Sequence, residues 1–369
     1  MKRYYWLQSS WHFGPVSSGI RLTSPLLQTS VDIETSAPEA IVRILDICRD
    51  GFVSRDPIKY ISFLLGMPEG ATGQVIDELS QRSILLSKTV SPHKEETPDR
   101  YSRQVKFFKM FEDSDRSGSA LDRKLRSSSI AVVGVGGYGC WIAMLCARIG
   151  IRRITLIDHD TIEESNLSRQ VLFSDADVGK KKVAVAASSL ASINPNINCV
   201  PIDQYVDSSE LLARLLEGVD LVFNPYGYAH PHANGLAARI SRGALLAKVP
   251  CLVSGGSWIG PLTVANTTPC YRCLFDNPMM SEIFSEVSAA TKIGTQAAFA
   301  PRLGINCSVA VWEACRFLAG IASDLLGSVI SLDTIGYSAS SKFEVARSDH
   351  CAWCSGPQSS QDFGRRKLP

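Results

Sequence analysis

For most of its length this sequence predicts an α/β fold, a doubly wound, Rossmann-like sheet, with a smaller module of short strands and helices ahead of it. Three observations carry the expectation. The first lies in residues 128–182. An apolar β-type run (Ile130, Ala131, Val132, Val133) enters a glycine turn, Gly134-Val135-Gly136-Gly137-Tyr138-Gly139. A helical segment follows, then a second apolar run over 154–157 that ends in Asp158. Strand, glycine loop, helix, strand and terminal acid, in that order, are the parts of a nucleotide site. The second observation is that strand-like and helix-like runs keep alternating after Lys182, as crossover helices between parallel strands require. The third is a pair of Cys-x-x-Cys hooks, Cys270-Tyr-Arg-Cys273 and Cys351-Ala-Trp-Cys354, a whole segment apart.

Taken in order, residues 1–88 read as a separate unit. Strand-like runs at 4–7 and 19–22 precede helical spacing at 38–48, 58–65 and 72–81 and a closing strand at 83–87. Short strands, three helices and a closing strand suggest a winged-helix-like module. Basic residues are sparse there and the third helix carries Asp77 and Glu78, so DNA is a poor partner. A peptide-docking role, by strand addition to an exposed sheet edge, suits it better. Residues 89–99, TVSPHKEETPD, are a polar linker with two prolines. Arg100-Tyr101-Ser102-Arg103-Gln104 begins a helix through 111. Beyond Lys182, a helix stops at Asn194-Pro195, strands follow at 197–202, 219–223 and 250–254, and helices at 208–216, 233–247 and 307–321. Residues 355–369 are polar and read as a disordered tail.

Composition narrows the function classes. The 369 residues, 45% hydrophobic, suffice for a large core and two domains. The net charge of +2, from 38 basic and 36 acidic residues, argues against a nucleic-acid partner. No apolar run approaches the roughly 20 residues a membrane span needs. The N-terminus, MKRYYWLQSSWHFG, has no apolar h-region, so a cytoplasmic location is expected. Seven scattered cysteines (Cys48, Cys140, Cys146, Cys199, Cys251, Cys307, Cys315) read as free buried thiols.

Chemistry concentrates around the glycine turn. Glycines let the backbone approach phosphate oxygens, and the helix N-terminus adds free N–H groups and a positive dipole end. Asp158 is placed to accept ribose hydroxyls. Asn166, Arg169, Gln170 and Lys182 trail it closely. A dinucleotide site has no need of two cations and an amide there, whereas a site that holds a triphosphate during attack at its α-phosphorus does. Four thiolates from two hooks close a tetrahedral zinc sphere, which makes that site structural rather than catalytic.

The landmarks RYSRQ, GVGGYG, LIDHDTIEESNLSRQVLF, DVGKKK and CYRC paired with CAWC run in order through residues 100–354. They resemble the ThiF/MoeB/MccB superfamily of adenylating enzymes related to ubiquitin-activating enzyme. The extra N-terminal module makes the plan most similar to the peptide-modifying branch of MccB and PaaA type. The resemblance implies that Gly134, Gly136, Gly137 and Gly139 form the nucleotide loop and that Asp158 holds the ribose. It assigns Asn166, Arg169 and Lys182 to the triphosphate. Arg103 resembles an arginine that reaches the partner subunit's site, which implies a homodimer. Cys270, Cys273, Cys351 and Cys354 resemble the family zinc site. ATP with magnesium would adenylate a carboxyl group on a short ribosomally made precursor peptide, a Glu or Asp side chain or a C-terminal Asn. A dehydrative cyclisation or an N–P bond would follow, as in peptide antibiotic biosynthesis. The rivals are a sulfur-carrier adenylyltransferase serving a Gly-Gly tail and a catalytically silent peptide-binding scaffold.

Two departures stand out. The family places a magnesium-holding aspartate shortly after the strand at 221–223, yet residues 221–272 contain no Asp or Glu. Asn224, His230, His232 or Asn234 are the polar substitutes there, and three readings compete: magnesium held mainly by phosphates and water, a nucleotide used differently with transfer to a different phosphate, or ATP chemistry lost and a binding role kept, which intact Asp158, Arg169 and Lys182 argue against. Residues 276–302 contain no cysteine, so a nucleophile of the substrate itself would capture the acyl-adenylate.

Overall fold

The computed structural model describes residues 2–25, 28–35, 37–89, 99–113, 115–227, 235–278, 280–281, 298–334 and 341–354. The chain divides into two compact units, Met1–Arg123 and Lys124–Pro369.

In the first unit β1 (Arg3–Leu7), β2 (His12–Val16), β3 (Gly19–Ser24) and β4 (Thr29–Glu34) precede α1 (Pro38–Asp50), β5 (Phe52–Ser54), α2 (Pro57–Leu65), α3 (Glu69–Gln81) and β6 (Leu85–Thr89). β1 pairs antiparallel with β5 on one side and β6 on the other. β2, β3 and β4 form a separate antiparallel meander, whose outer strands the sequence did not announce. On α1 the buried residues Ile41, Ile44, Leu45 and Cys48 recur at helical spacing and meet Ile20, Leu22, Ile61, Leu79 and Ile84 in one core. Asp56 starts α2 by accepting the Lys59 N–H at 3.1 Å, with Pro57 in the first turn, and Gly66 ends it in the left-handed conformation. The expected helix over 100–111 is broken. α4 (Ser102–Phe108) lies between two 3-10 turns, Asp99–Tyr101 and Lys109–Phe111, before α5 (Gly118–Arg126). The Glu112 carboxylate fixes the turn after it, accepting Trp6 Nε1–H at 2.6 Å and the Gly118 N–H at 3.1 Å.

The second unit runs β7 (Ser129–Val133), α6 (Gly137–Ile149), β8 (Arg153–Asp158), α7 (Lys182–Ile193), β9 (Asn198–Asp203), α8 (Ser209–Leu215), β10 (Leu221–Asn224), α9 (Leu236–Leu246), β11 (Cys251–Gly255), β12 (Trp258–Thr263), α10 (Tyr271–Asp276), α11 (Ala300–Ala319), β13 (Ser328–Ser331) and β14 (Ser341–Glu344). Its eight-stranded sheet has the order β14-β13-β12-β11-β10-β7-β8-β9. Strands β11, β10, β7, β8 and β9 are parallel neighbours. The all-parallel expectation is corrected by β12, β13 and β14, which add antiparallel. The cause is local: only Gly256 and Ser257 separate β11 from β12, and a two-residue link closes a hairpin but cannot carry a crossover. β7 is buried along its whole length because helices cover both faces of the parallel part. The chain runs from β7 outward through β8 and β9, then returns to lay β10 against β7's other side. That reversal opens a crevice at the carboxyl ends of β7 and β10, where doubly wound sheets bind ligands. No helix among the described residues is long and apolar enough to cross a membrane.

Candidate active site

The glycine loop spans the end of β7 and the start of α6. Gly134 has φ +98°, a backbone conformation L side chains rarely adopt, and its N–H donates to the Ile157 carbonyl at 2.7 Å. A methyl group on Gly139 would run into the Gly134 carbonyl oxygen, so the first turn of α6 can press on the loop only without a side chain there. Gly136 caps α6 with no side-chain hydrogen bond. The unfilled N–H groups of that 13-residue helix therefore face a cavity of about 340 Å³, bordered by Gly136, Gly137, Asp160, Arg169, Gln170 and Tyr226.

Asp158 ends β8 and is buried. Its Oδ2 accepts the Val135 N–H at 2.6 Å and its Oδ1 accepts the Asp160 N–H at 2.8 Å. The expected ribose acid thus also pins the glycine loop to β8. Asp158 borders a second, smaller space of about 40 Å³ with His159, Gln204, Tyr205 and Leu236. Lys182, the first residue of α7, is buried and donates its Nζ to Asp160 Oδ2 at 2.9 Å. Arg169 is half-buried, lines the larger cavity and donates from Nη1 to the Ser165 carbonyl at 2.6 Å. Asn166 is buried in the turn between them. Its Oδ1 accepts the Glu163 N–H at 3.2 Å and its Nδ2 donates to Ser165 Oγ at 3.3 Å, so its amide shapes the turn that presents Arg169. Gln170 lines the cavity with its buried Oε1 unpartnered among the described residues. Arg103 is exposed on α4, in the first unit.

The structure therefore gathers Gly134, Gly136, Gly137, Gly139 and Arg169 around one cavity, with Lys182 reached through Asp160. Asp160 and Tyr226 were missed by the sequence reading. For Asp160 the signal was present in the Asp158-His159-Asp160 spacing, whereas nothing in the sequence brings Tyr226 to Gly134. Asn224, considered as a substitute ligand, is instead a fully buried brace. Its Nδ2 donates to the Ala237 carbonyl at 2.8 Å and to Ser241 Oγ at 2.9 Å, and its Oδ1 accepts the Tyr226 N–H at 3.2 Å. His230, His232, Asn234, most of the 89–99 linker and the 355–369 tail lie outside the described residues.

The four hook cysteines come together away from this cavity. All are buried, and their sulfurs stand 3.9 Å (Cys270–Cys273), 3.5 Å (Cys270–Cys351) and 3.5 Å (Cys273–Cys354) apart. A tetrahedral ion with Zn–S bonds of about 2.3 Å needs sulfurs about 3.8 Å apart, so the donor set fits a structural zinc ion. A hydrogen bond from Cys270 holds the Cys273 thiol below its usual range, which favours the thiolate a metal requires. Six of the other seven thiols are core, whereas Cys199, expected to be buried, is only half-buried. Burial pushes Cys48, Cys251 and Cys315 up to about 12, and buried Cys307 donates to the Tyr138 carbonyl at 3.5 Å.

The ThiF family profile matches residues 101–354. Molybdopterin-synthase adenylyltransferase of Escherichia coli (strain K12) is 35% identical over 243 residues, 64% of this chain and 88% of that protein. Adenylyltransferase and sulfurtransferase MOCS3 of Mus musculus is 30% identical over 246 residues, 64% of this chain and 48% of its own length. Among solved structures, E. coli MccB with MccA-N7isoASN superposes with a TM-score of 0.77 at 22% identity, covering 95% of this chain and 99% of that one. PaaA superposes with a TM-score of 0.62 at 22% identity, covering 79% of this chain and 97% of that one. At such identities the structural likeness speaks for the fold. With a family profile spanning residues 101–354 and a relative at 35% identity, the chain belongs to the ThiF family.

Proposed function

We propose that this chain is an ATP-dependent adenylyltransferase that activates a carboxyl group of a short ribosomally made peptide. The observation that carries the reading is the uncapped N-terminus of α6 facing a cavity lined by Arg169, with the Lys182–Asp160 pair at its border. Two cations beside a helix N-terminus suit a triphosphate and the charge that develops as pyrophosphate departs. The peptide carboxylate oxygen attacks the α-phosphorus, and the bond to the bridging oxygen breaks. Pyrophosphate leaves with that electron pair, and a mixed anhydride with AMP remains. A nitrogen of the same peptide then attacks the acyl carbon and expels AMP, for a net loss of water. Attack by that nitrogen on the α-phosphorus of an ATP instead forms an N–P bond, as the bond to the bridging oxygen breaks, pyrophosphate leaves with that electron pair and the nitrogen's proton passes to water. Magnesium enters with ATP, held by phosphates and water, and zinc in the cysteine cluster is structural. Arg103 acting in trans within a homodimer, and a cytoplasmic location, belong to the same reading.

The peptide part rests on residues 1–100, which the family profile leaves out, whereas the fold shared with MccB covers 95% of the chain. A relative of that fold is described as the microcin C7 biosynthetic enzyme in complex with N-formylated MccA. As a winged-helix-like clamp, this unit would dock the peptide in the groove of about 460 Å³ beside β4, lined by Ile33, Glu34, Ala40, Met67 and Val75. The second reading, adenylation of a sulfur carrier ending in Gly-Gly, is favoured by the names of the curated relatives. The deciding experiment is nucleotide accounting with ATP, magnesium and candidate short peptides from reading frames beside the gene, with each peptide's mass. AMP and pyrophosphate with loss of water, abolished by Arg169→Ala, is the expected result. A retained phosphoryl-adenosine mass marks the N–P branch. Turnover only with a Gly-Gly-tailed protein transfers the reading to the sulfur carrier. ADP refutes adenylation, and peptide binding without turnover leaves a scaffold.

A further inference from the structure

One side chain divides the crevice in two. Tyr226 follows β10, and a methyl on Gly134 would collide with its Oη, Cζ and Cε2 atoms, so the hydroxyl end of the ring packs against the glycine loop. Tyr226, Gly134 and Asp160 border both spaces, about 340 Å³ on the α6 side and about 40 Å³ on the Asp158 side. Sites for ligands of nucleotide size measure about 300–1,000 Å³, which the first meets, whereas the second has room for only a few waters. The lobe against the helix N-terminus thus has room for a ligand, and the lobe against Asp158 is too small for a nucleoside.

The backbone at this point is braced. Buried Asn224 accepts the Tyr226 N–H and is itself tied to α9 at Ala237 and Ser241. Enlarging the Asp158 lobe therefore falls to rotation of the Tyr226 side chain rather than to movement of β10. Burial and the nearby Asp158 and Asp160 carboxylates push the phenol up, so it stays neutral and adds no charge to the phosphate lobe.

We infer that Tyr226 determines which ligands the site admits: its ring occupies the nucleoside lobe of the free enzyme and must turn out before ATP or AMP can bind, while pyrophosphate enters without it. The inference rests on the nucleotide reading of the α6 cavity. A free enzyme open in about one molecule in ten binds ATP about tenfold more weakly than an open one.

The test is calorimetric titration of the full-length chain and of Tyr226→Ala and Tyr226→Phe with ATP, AMP and pyrophosphate. Tyr226→Ala should bind ATP and AMP about tenfold more tightly, with pyrophosphate unchanged, and Tyr226→Phe should match wild type because its ring is the same size. Fluorotyrosine at position 226 supplies a readout that needs no altered fold: its 19F signal should shift with ATP or AMP and stay in place with pyrophosphate. Weaker or unchanged ATP binding by Tyr226→Ala, or a 19F shift with pyrophosphate alone, overturns the inference. Wild type that binds neither ATP nor pyrophosphate overturns the nucleotide reading beneath it.

Discussion

Asp158→Ala tests whether the proposed ribose acid is also a structural pin. The substitution removes two hydrogen bonds to a carboxylate, from the Val135 N–H at 2.6 Å and the Asp160 N–H at 2.8 Å. Bonds to a charged acceptor contribute about 1.5–3 kcal/mol each. They do not weigh equally here. Val135 is fully buried, so its N–H is left without water, whereas Asp160 is exposed and its N–H can turn to solvent. Counting the first in full and the second in part gives a loss of about 2–4 kcal/mol. Urea denaturation of the full chain should show the midpoint falling with an unchanged slope. Asp158→Asn should recover roughly half, because the amide oxygen can still accept from Val135. ATP affinity should fall in both, since the loop that carries the phosphate contacts loses its anchor to β8. An unchanged midpoint for Asp158→Ala alongside lost ATP binding would refute the pin and leave Asp158 as a ligand alone.

Gly139→Ala should abolish ATP binding in a titration, because the new methyl meets the Gly134 carbonyl and displaces the loop. The purified chain should carry about one zinc equivalent by mass spectrometry, and Cys273→Ser should lose it and lower the thermal midpoint. Asn224→Ala should cost about 2–4 kcal/mol in urea, because it orphans the groups that its buried amide ties together. Under native alkylation, Cys199 should label first: it is only half-buried, and burial raises its thiol to about 11, less than the thiols at about 12.

The strand–loop–helix–strand core was legible because its determinants are local. An apolar run, a glycine turn and a terminal acid specify β7, α6 and β8 without long-range information, and each lies where the spacing put it. The sheet's far edge was not legible for the same reason. Alternation argues for parallel strands until a connection is too short for a crossover, and the Gly255-Gly256-Ser257 stretch that decides this lies just past the strand expected at 250–254. The meander of β2 to β4 was half-seen. β3 is an apolar, buried strand, whereas its neighbours alternate weakly and carry Pro15, Asp32 and Glu34, residues that do not favour strands in isolation. Tertiary pairing with β3 overrides that local preference.

At the site, residue types were readable and their partners were not. By kind and spacing, Arg169 and Lys182 raise the expectation of a phosphate site and Asp158 that of a ribose acid, but the sequence gives no sign that Asp158 grips the loop or that Asp160 holds Lys182. Asn224 shows the difference most clearly. As a residue type it was a conceivable metal ligand, yet it is fully buried, with both amide N–H groups and one lone pair of its Oδ1 committed to joining β10, α9 and Tyr226. With that amide so committed, Asp160 is the single carboxylate among the described residues that line the cavity, and Lys182 neutralises it. Arg169 and the end of α6 then leave the cavity with a surplus of positive charge. Such a surplus disfavours a resident divalent cation and favours a polyanion that brings its own, so loss of the family's acid after β10 is compatible with an intact triphosphate site.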